Sequence, residues 1–394
     1  MKMKKILALT LALAMSVSLC ACGGSDEPAP EAAGGATAGA TLKIGGIGPL
    51  TGAAATYGVA TQRGAQIAVD EINAMEDKAF TIEYDFQDDT GVAETAVSAY
   101  NTLKDWGVDV IYGTTTTAPC ITIASETNAD RIFQLTPSAS SPDVTAGKDN
   151  VFQMCFTDPN QGVTAANYIK DTGLATKVGV IYNNGDAYST GIAQGFIAQC
   201  ASLGIEVVAE QTIPADTNTD FNVQLTACKD GGAELVFMPI YYTPASLVLT
   251  QADQMGYDPI FFGGDGMDGI LNIEGFDTSL AEGLLLLTPF NATAEDELTV
   301  NFVTKYQDAY GEIPNQFAAD GYDCVYAIYN AVQQIDGALE MDQAALCDAL
   351  IAVFTGGEFT VDGLTGSGMS WQANGEVSKD PMVVAVEGGA YVTQ

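Results

Sequence analysis

The chain contains no histidine, and only 14 of its 394 residues are lysine or arginine. Without histidine, the commonest general base and the commonest transition-metal ligand are both missing, and a Ser-His-Asp relay cannot be built. The few bases stand against 50 aspartates and glutamates, a formal charge of −36. Such a field repels phosphate backbones and anionic lipid alike, which excludes a nucleic-acid surface. Also absent are a Walker A sequence, a Rossmann glycine fingerprint, an H-E-x-x-H pair, an EF-hand loop and a G-x-S-x-G elbow. No cofactor, no metal site and no enzymatic activity are expected. A carboxylate-pair glycosidase is the one enzyme class left open by inspection, because acids are everywhere.

Long apolar runs are missing too. Ile6 to Leu19 is apolar, but too short for a comfortable membrane span, which needs about 20 residues. It follows the basic stretch Met1 to Lys5 and precedes Cys20-Ala21-Cys22-Gly23-Gly24, so residues 1–21 read as a secretory signal peptide. Leu19-Cys20-Ala21-Cys22 resembles the lipobox of bacterial lipoproteins. That resemblance implies a lipid on Cys22 and a protein anchored to the outer face of the bacterial cell membrane. Residues 22–40, rich in Gly, Ala and Pro, read as a flexible tether. The remaining cysteines (Cys120, Cys155, Cys200, Cys228, Cys324, Cys347) show no metal-ligand spacing. Several lie in apolar runs such as Phe152-Gln153-Met154-Cys155-Phe156 and read as mostly free, small buried hydrophobes.

What is present is a folded composition, 47% hydrophobic and 16% charged, with length for two domains. From Leu42 onward strands and helices alternate. Strands are expected at Leu42 to Ile47, Phe80 to Phe86, Val108 to Tyr112 and Ile132 to Leu135. Helices fit Ala60 to Ile72, Thr90 to Trp106 and Ala118 to Asn128. The rhythm restarts at Lys177 to Tyr182, with further strands at Ile205 to Val208, Glu234 to Met238 and Ile260 to Phe262. Helices between them fit Tyr188 to Leu203, Asp220 to Lys229 and Leu247 to Met255. The last third is mixed, with helices over Glu297 to Tyr310, Phe317 to Ile335 and Asp342 to Phe354. Strand-like stretches lie at Leu284 to Leu287, Gly368 to Trp371 and Met382 to Val386. Two βαβ series imply an α/β protein of two doubly wound, mainly parallel sheets. Ligands in such sheets sit beyond the carboxyl ends of the strands.

Two of those strand ends are rich in hydroxyls. Thr114-Thr115-Thr116-Thr117-Ala118-Pro119 opens one helix, and Thr136-Pro137-Ser138-Ala139-Ser140-Ser141-Pro142 follows another strand. Each suits an anion held without basic side chains, although capping a helix is the commoner use of Ser and Thr. The second half offers Gly263-Gly264-Asp265-Gly266, where glycines let an acid point into a crevice. Together the loops and Asp265 fit a zwitterion. Tyr57, Tyr188, Tyr241-Tyr242 and Phe317 occupy comparable loop positions and serve equally well as core.

Several stretches together resemble the branched-chain amino-acid binding proteins of ABC importers, which have the type I periplasmic-binding-protein fold. They are Ile47-Gly48-Pro49-Leu50-Thr51-Gly52, Gly64 to Asn73, Thr136-Pro137-Ser138-Ala139, Asp216 to Phe221, Gly263-Gly264-Asp265-Gly266 and Gly321-Tyr322-Asp323. The resemblance implies two lobes, 41–157 with 289–381 and 158–288 with 382–394, joined by three crossings near Asp158, Thr288 and Pro381. It implies a monomer that hands a small zwitterionic amino acid to a membrane permease. It sets the ligand's carboxylate against Thr117 and the N–H of Ser140. The ammonium would meet the Ser138 carbonyl, the Ser140 hydroxyl and Asp265, inside walls of Tyr57, Tyr188, Tyr241 and Phe317. Asp265 is one methylene shorter than the Glu of some members. Rival readings are a short-chain amide or urea importer component, and a sensing module that signals to a membrane receptor.

Overall fold

Leucine and isoleucine fill buried positions of β1 (Thr41–Gly48), the first strand of a five-stranded parallel sheet. Ile44 stands between Tyr84 of β2 (Thr81–Asp88) and Val110 of β3 (Val110–Gly113). Beyond β3 lie β4 (Phe133–Thr136) and β5 (Val151–Gln153), each buried throughout. The connections β1–β2, β2–β3 and β3–β4 run through α1 (Ala55–Ala74), α2 (Ala93–Trp106) and α3 (Thr117–Asp130). This computed structural model describes residues 39–214 and 218–394. The signal peptide, Cys22 and nearly all of the tether lie outside the described residues.

After β5 the chain enters α4 (Asp158–Thr172) and a second sheet of seven strands. Five of them, β6 (Lys177–Asn183), β7 (Glu206–Ile213), β8 (Leu235–Met238), β9 (Ile260–Gly263) and β10 (Leu285–Thr288), pair in parallel. Their connecting helices are α5 (Ala187–Leu203), α6 (Asn222–Gly231) and α7 (Tyr242–Gln254). The chain then returns to the first sheet, where α8 (Glu297–Tyr310) and α9 (Gln316–Val332) pack on α1 and α10 (Gln343–Thr355) packs on β4. It crosses once more to add β11 (Met382–Glu387) and β12 (Ala390–Thr393), both antiparallel, beside β10. The result is two mainly parallel α/β lobes, with strand ends facing one cleft.

Several elements differ from the expectation: α1 starts at Ala55 and not at Ala60, and β5 and β12 were not expected. Helix α7 starts at Tyr242, five residues before the apolar periodicity at Leu247, because Pro244 sits in the first turn, where its missing N–H is harmless. Helix α4, built largely from alanine and polar residues, gave no clear periodicity. The stretch Gly368 to Trp371 forms no strand; its only pairing is through the isolated bridges Val361–Met369 and Trp371–Val377. The six described cysteines are buried and unpaired.

Candidate functional site

On the first lobe, β3 runs into Thr114 and then into α3, whose first residue is Thr117. Thr116 precedes the helix but its side chain does not cap it. The hydroxyls of Thr115 and Thr116 are buried without a partner. This helix start therefore keeps unused N–H groups beside unused hydroxyls, an arrangement that suits an anion. Ser138, after β4, donates its hydroxyl to the Thr115 carbonyl at 2.6 Å and so braces the threonine loop.

On the second lobe, Asp265 follows β9 and is buried. Its Oδ1 accepts the Tyr188 hydroxyl at 2.8 Å and the Gln161 amide Nε2 at 3.0 Å. The Gln161 Oε1 in turn accepts Asp265 N–H at 2.9 Å, and the Tyr188 oxygen accepts Gly266 N–H at 2.8 Å. Burial pushes the Asp265 carboxyl up to about 6, against the opposing pull of the Tyr188 and Gln161 hydrogen bonds. Burial likewise raises Asp268 to about 6 and Asp320 to about 7, although Lys379 pairs with Asp320 at 3.3 Å.

The two halves meet around one small hollow lined by Tyr57, Thr115, Thr116, Thr117, Ser138, Tyr188, Tyr241, Asp265, Gly266 and Phe317. Tyr57 lies 4.3 Å from Phe317 and 5.5 Å from Tyr241 between ring centroids, and Tyr188 stacks on Tyr241 at 5.1 Å. Hydrogen bonds cross the cleft: the Tyr57 hydroxyl donates to the Gly266 carbonyl, and Gln316 Nε2 donates to the Asp265 carbonyl at 2.7 Å. Asp268 Oδ2 accepts Gln316 N–H at 2.9 Å. The enclosed space is about 10 Å³, close to the room one water needs. Thr116 and Tyr241 also border a second hollow of about 150 Å³ with Ala53, Ala54, Ala118, Pro119, Asp186 and Pro244 among its walls.

Seven of the eight residues singled out in the sequence line this hollow together. Ser140 does not. It is buried behind the site, its hydroxyl donating to Asp158 Oδ1 at 2.6 Å and its carbonyl accepting Asp158 N–H at 3.0 Å. Sequence reasoning took the loops that hold Thr115, Thr116 and Gly266 as candidates without singling out these residues, and it missed Gln161 behind the wall. The run of four threonines was the available signal for the first two; Gln161 gave none. Among the described residues no group of cysteines and acids is placed to hold a metal ion.

Residues 41–390 match the periplasmic binding protein family. The chain belongs to this family. A Leu/Ile/Val-binding protein homologue from Brucella melitensis is 34% identical over 58% of this chain and 62% of its own length, just under two thirds. A leucine-, isoleucine-, valine-, threonine- and alanine-binding protein from Pseudomonas aeruginosa is 28% identical over 79% and 82%. A branched-chain amino-acid transporter substrate-binding protein from Streptococcus pneumoniae, solved with isoleucine, superposes with TM-score 0.79 at 28% identity, covering 90% of this chain and all of that one. This periplasmic binding protein thus has the type I fold. It is a solute-binding protein and not an enzyme, and its family implies a place outside the cytoplasm.

Proposed function

We propose that the protein captures an amino acid, with leucine, isoleucine and valine as the first candidates, and delivers it to an ABC import permease as a monomer anchored by a lipid on Cys22. The carrying observation is the opposition of a buried carboxylate, Asp265, to a helix start with spare N–H groups and unpartnered threonine hydroxyls. A zwitterion satisfies both ends at once, and neither lobe alone can do so. The ammonium would meet Asp265 and the Ser138 carbonyl; the carboxylate would meet Thr117 with Thr115 and Thr116. Ser140 would act on this site through Asp158 and not by direct contact. The lobes are taken as 41–157 with 289–381 and 158–288 with 382–394, closing about their three connections.

Size supports an opening step. A space of about 10 Å³ cannot hold a leucine, so the rings of Tyr188 and Tyr241 or the lobes themselves must part to admit it. The neighbouring hollow offers room for a side chain against Ala53, Ala54, Ala118, Pro119 and Pro244, with threonines and Asp186 on its other walls. A short-chain amide is disfavoured because it carries no charge to meet Asp265.

Calorimetric titration with the twenty amino acids, acetamide and urea tests the reading. Leucine, isoleucine or valine should bind most tightly. If every amino acid binds more weakly than about 1 mM while an amide binds, the proposal fails.

A further inference from the structure

We propose that Gln161, in the first turn of α4, is a positioning residue that holds Asp265 as the ionised acceptor for the ligand's ammonium group. The inference rests on the amino-acid reading above and adds to it a residue that does not touch the ligand.

Gln161 is buried, and its amide uses both ends on one partner: Nε2 donates to Asp265 Oδ1 and Oε1 accepts Asp265 N–H. Only one amide orientation allows this, since the flipped form would set two acceptors against each other and two donors against each other. The side chain therefore fixes the backbone and the carboxylate of Asp265 together. Tyr188 reinforces it on the same oxygen, leaving the other for the ligand.

The surroundings make that support decisive. Asp158, Asp268 and Asp320 are acids as well, each raised in part by the charge on Asp265, so none of them offers it a counter-charge. Cys155, Tyr57 and Tyr241 also face this region and supply no cation. The buried lysine, Lys379, is committed to Asp320 and to the Thr365 hydroxyl at 2.6 Å. Neutral hydrogen-bond donors are thus what favour a carboxylate here, and Gln161 is one of two side chains that supply them. The same helical turn carries Asp158, which grips Ser140 of the first lobe through two hydrogen bonds. Asp265 and the loop bearing Ser138 are consequently held from a single turn of helix.

The test is leucine binding as a function of pH. In the wild type, affinity should fall as pH drops through about 6, where Asp265 takes up a proton. Gln161→Met should raise the leucine Kd about tenfold or more at pH 7.5, the loss expected for one hydrogen bond to a buried charge. It should also move the acidic limb of the profile to higher pH, which a simple packing defect would not do. Gln161→Glu keeps the side-chain shape and gives a second route should the methionine variant not fold; its added negative charge moves the limb in the same direction. With Asp265→Asn as background, Gln161→Met should add little further loss. An unshifted pH profile in both Gln161 variants, or a full additive loss on the Asp265→Asn background, overturns the proposal. Failure of the wild type to bind any amino acid defeats the parent reading as well, and is seen before a variant is made.

Discussion

Cys22 carries a consequence out of proportion to one side chain, because the thioether it would bear decides whether the protein diffuses away. Acyl chains contribute about 0.8 kcal/mol for each buried CH₂, so more than one chain gives stable anchoring where a single chain binds only reversibly. Cys22→Ser should move the protein from the membrane fraction to the soluble fraction, whereas Cys20→Ser should leave it in place; membrane retention of the Cys22 variant after fractionation refutes the anchor. At this same scale some site residues were legible and others were not. Asp265 stood out because glycines flank it on both sides, a pattern with a backbone reason. Gln161 was silent: one polar residue in a polar helix gives no sign of facing inward. Ser140 was visible as a hydroxyl in the right loop, but its partner Asp158 lies on another element, and nothing local indicates that the hydroxyl is already taken.

Helices α1 and α9 carry two of the aromatic walls, Tyr57 and Phe317, and their crossing is unusually close. A methyl group on Gly64 would stand 1.8 Å from the Ala318 carbonyl oxygen, and one on Gly321 would stand 2.4 Å from the Thr61 carbonyl oxygen. Alanine in a helix interior is intrinsically better than glycine by roughly 1 kcal/mol. Here the contact is with backbone, which cannot rotate away, so overpacking of about 1–3 kcal/mol wins. Gly64→Ala should lower the melting temperature by about a degree or two and weaken leucine binding by displacing Tyr57 from Phe317; a raised melt with unchanged binding would mean that the helices can separate freely. The sequence stretch Gly64 to Asn73 marked this helix, but not its partner. Helix α8 was legible to the residue, whereas α1 begins five residues before its expected start and α9 ends three residues before its expected end. Strand β5, three residues long, was not legible, because so short a run has no period to read.

Acidity acts on the whole molecule in two opposite ways. Asp265, Asp268 and Asp320 titrate in the folded protein at about 6, 6 and 7, above the ordinary carboxylate value of 3.8. Between roughly pH 4 and 7 the folded chain therefore holds more protons than the unfolded one, and stability falls as pH rises. The surplus of negative charge works in the same direction, since protonation relieves self-repulsion. Asp130 and Asp149, held below the usual range mainly by Lys104 and Arg131, withdraw their stabilisation only at lower pH. The ligand-free protein should thus melt at a higher temperature at pH 5 than at pH 7.5, while leucine affinity moves the other way. Melting curves and titrations across that interval check both signs, and a melt that drops on mild acidification contradicts the buried-acid account.

The solitary burial of the cysteines has a consequence for how the chain matures. Cys120, Cys155, Cys200, Cys228, Cys324 and Cys347 each sit alone in the interior, with thiols that burial holds well above their ordinary titration range. Among the described residues the fold owes nothing to an S–S bond, so neither an oxidase nor a disulfide isomerase is needed to reach it. A mild reductant leaves every stabilising contact in place. What oxidising surroundings threaten is the unfolded chain, in which six exposed thiols can cross-link wrongly, so rapid burial of those thiols is itself the protection.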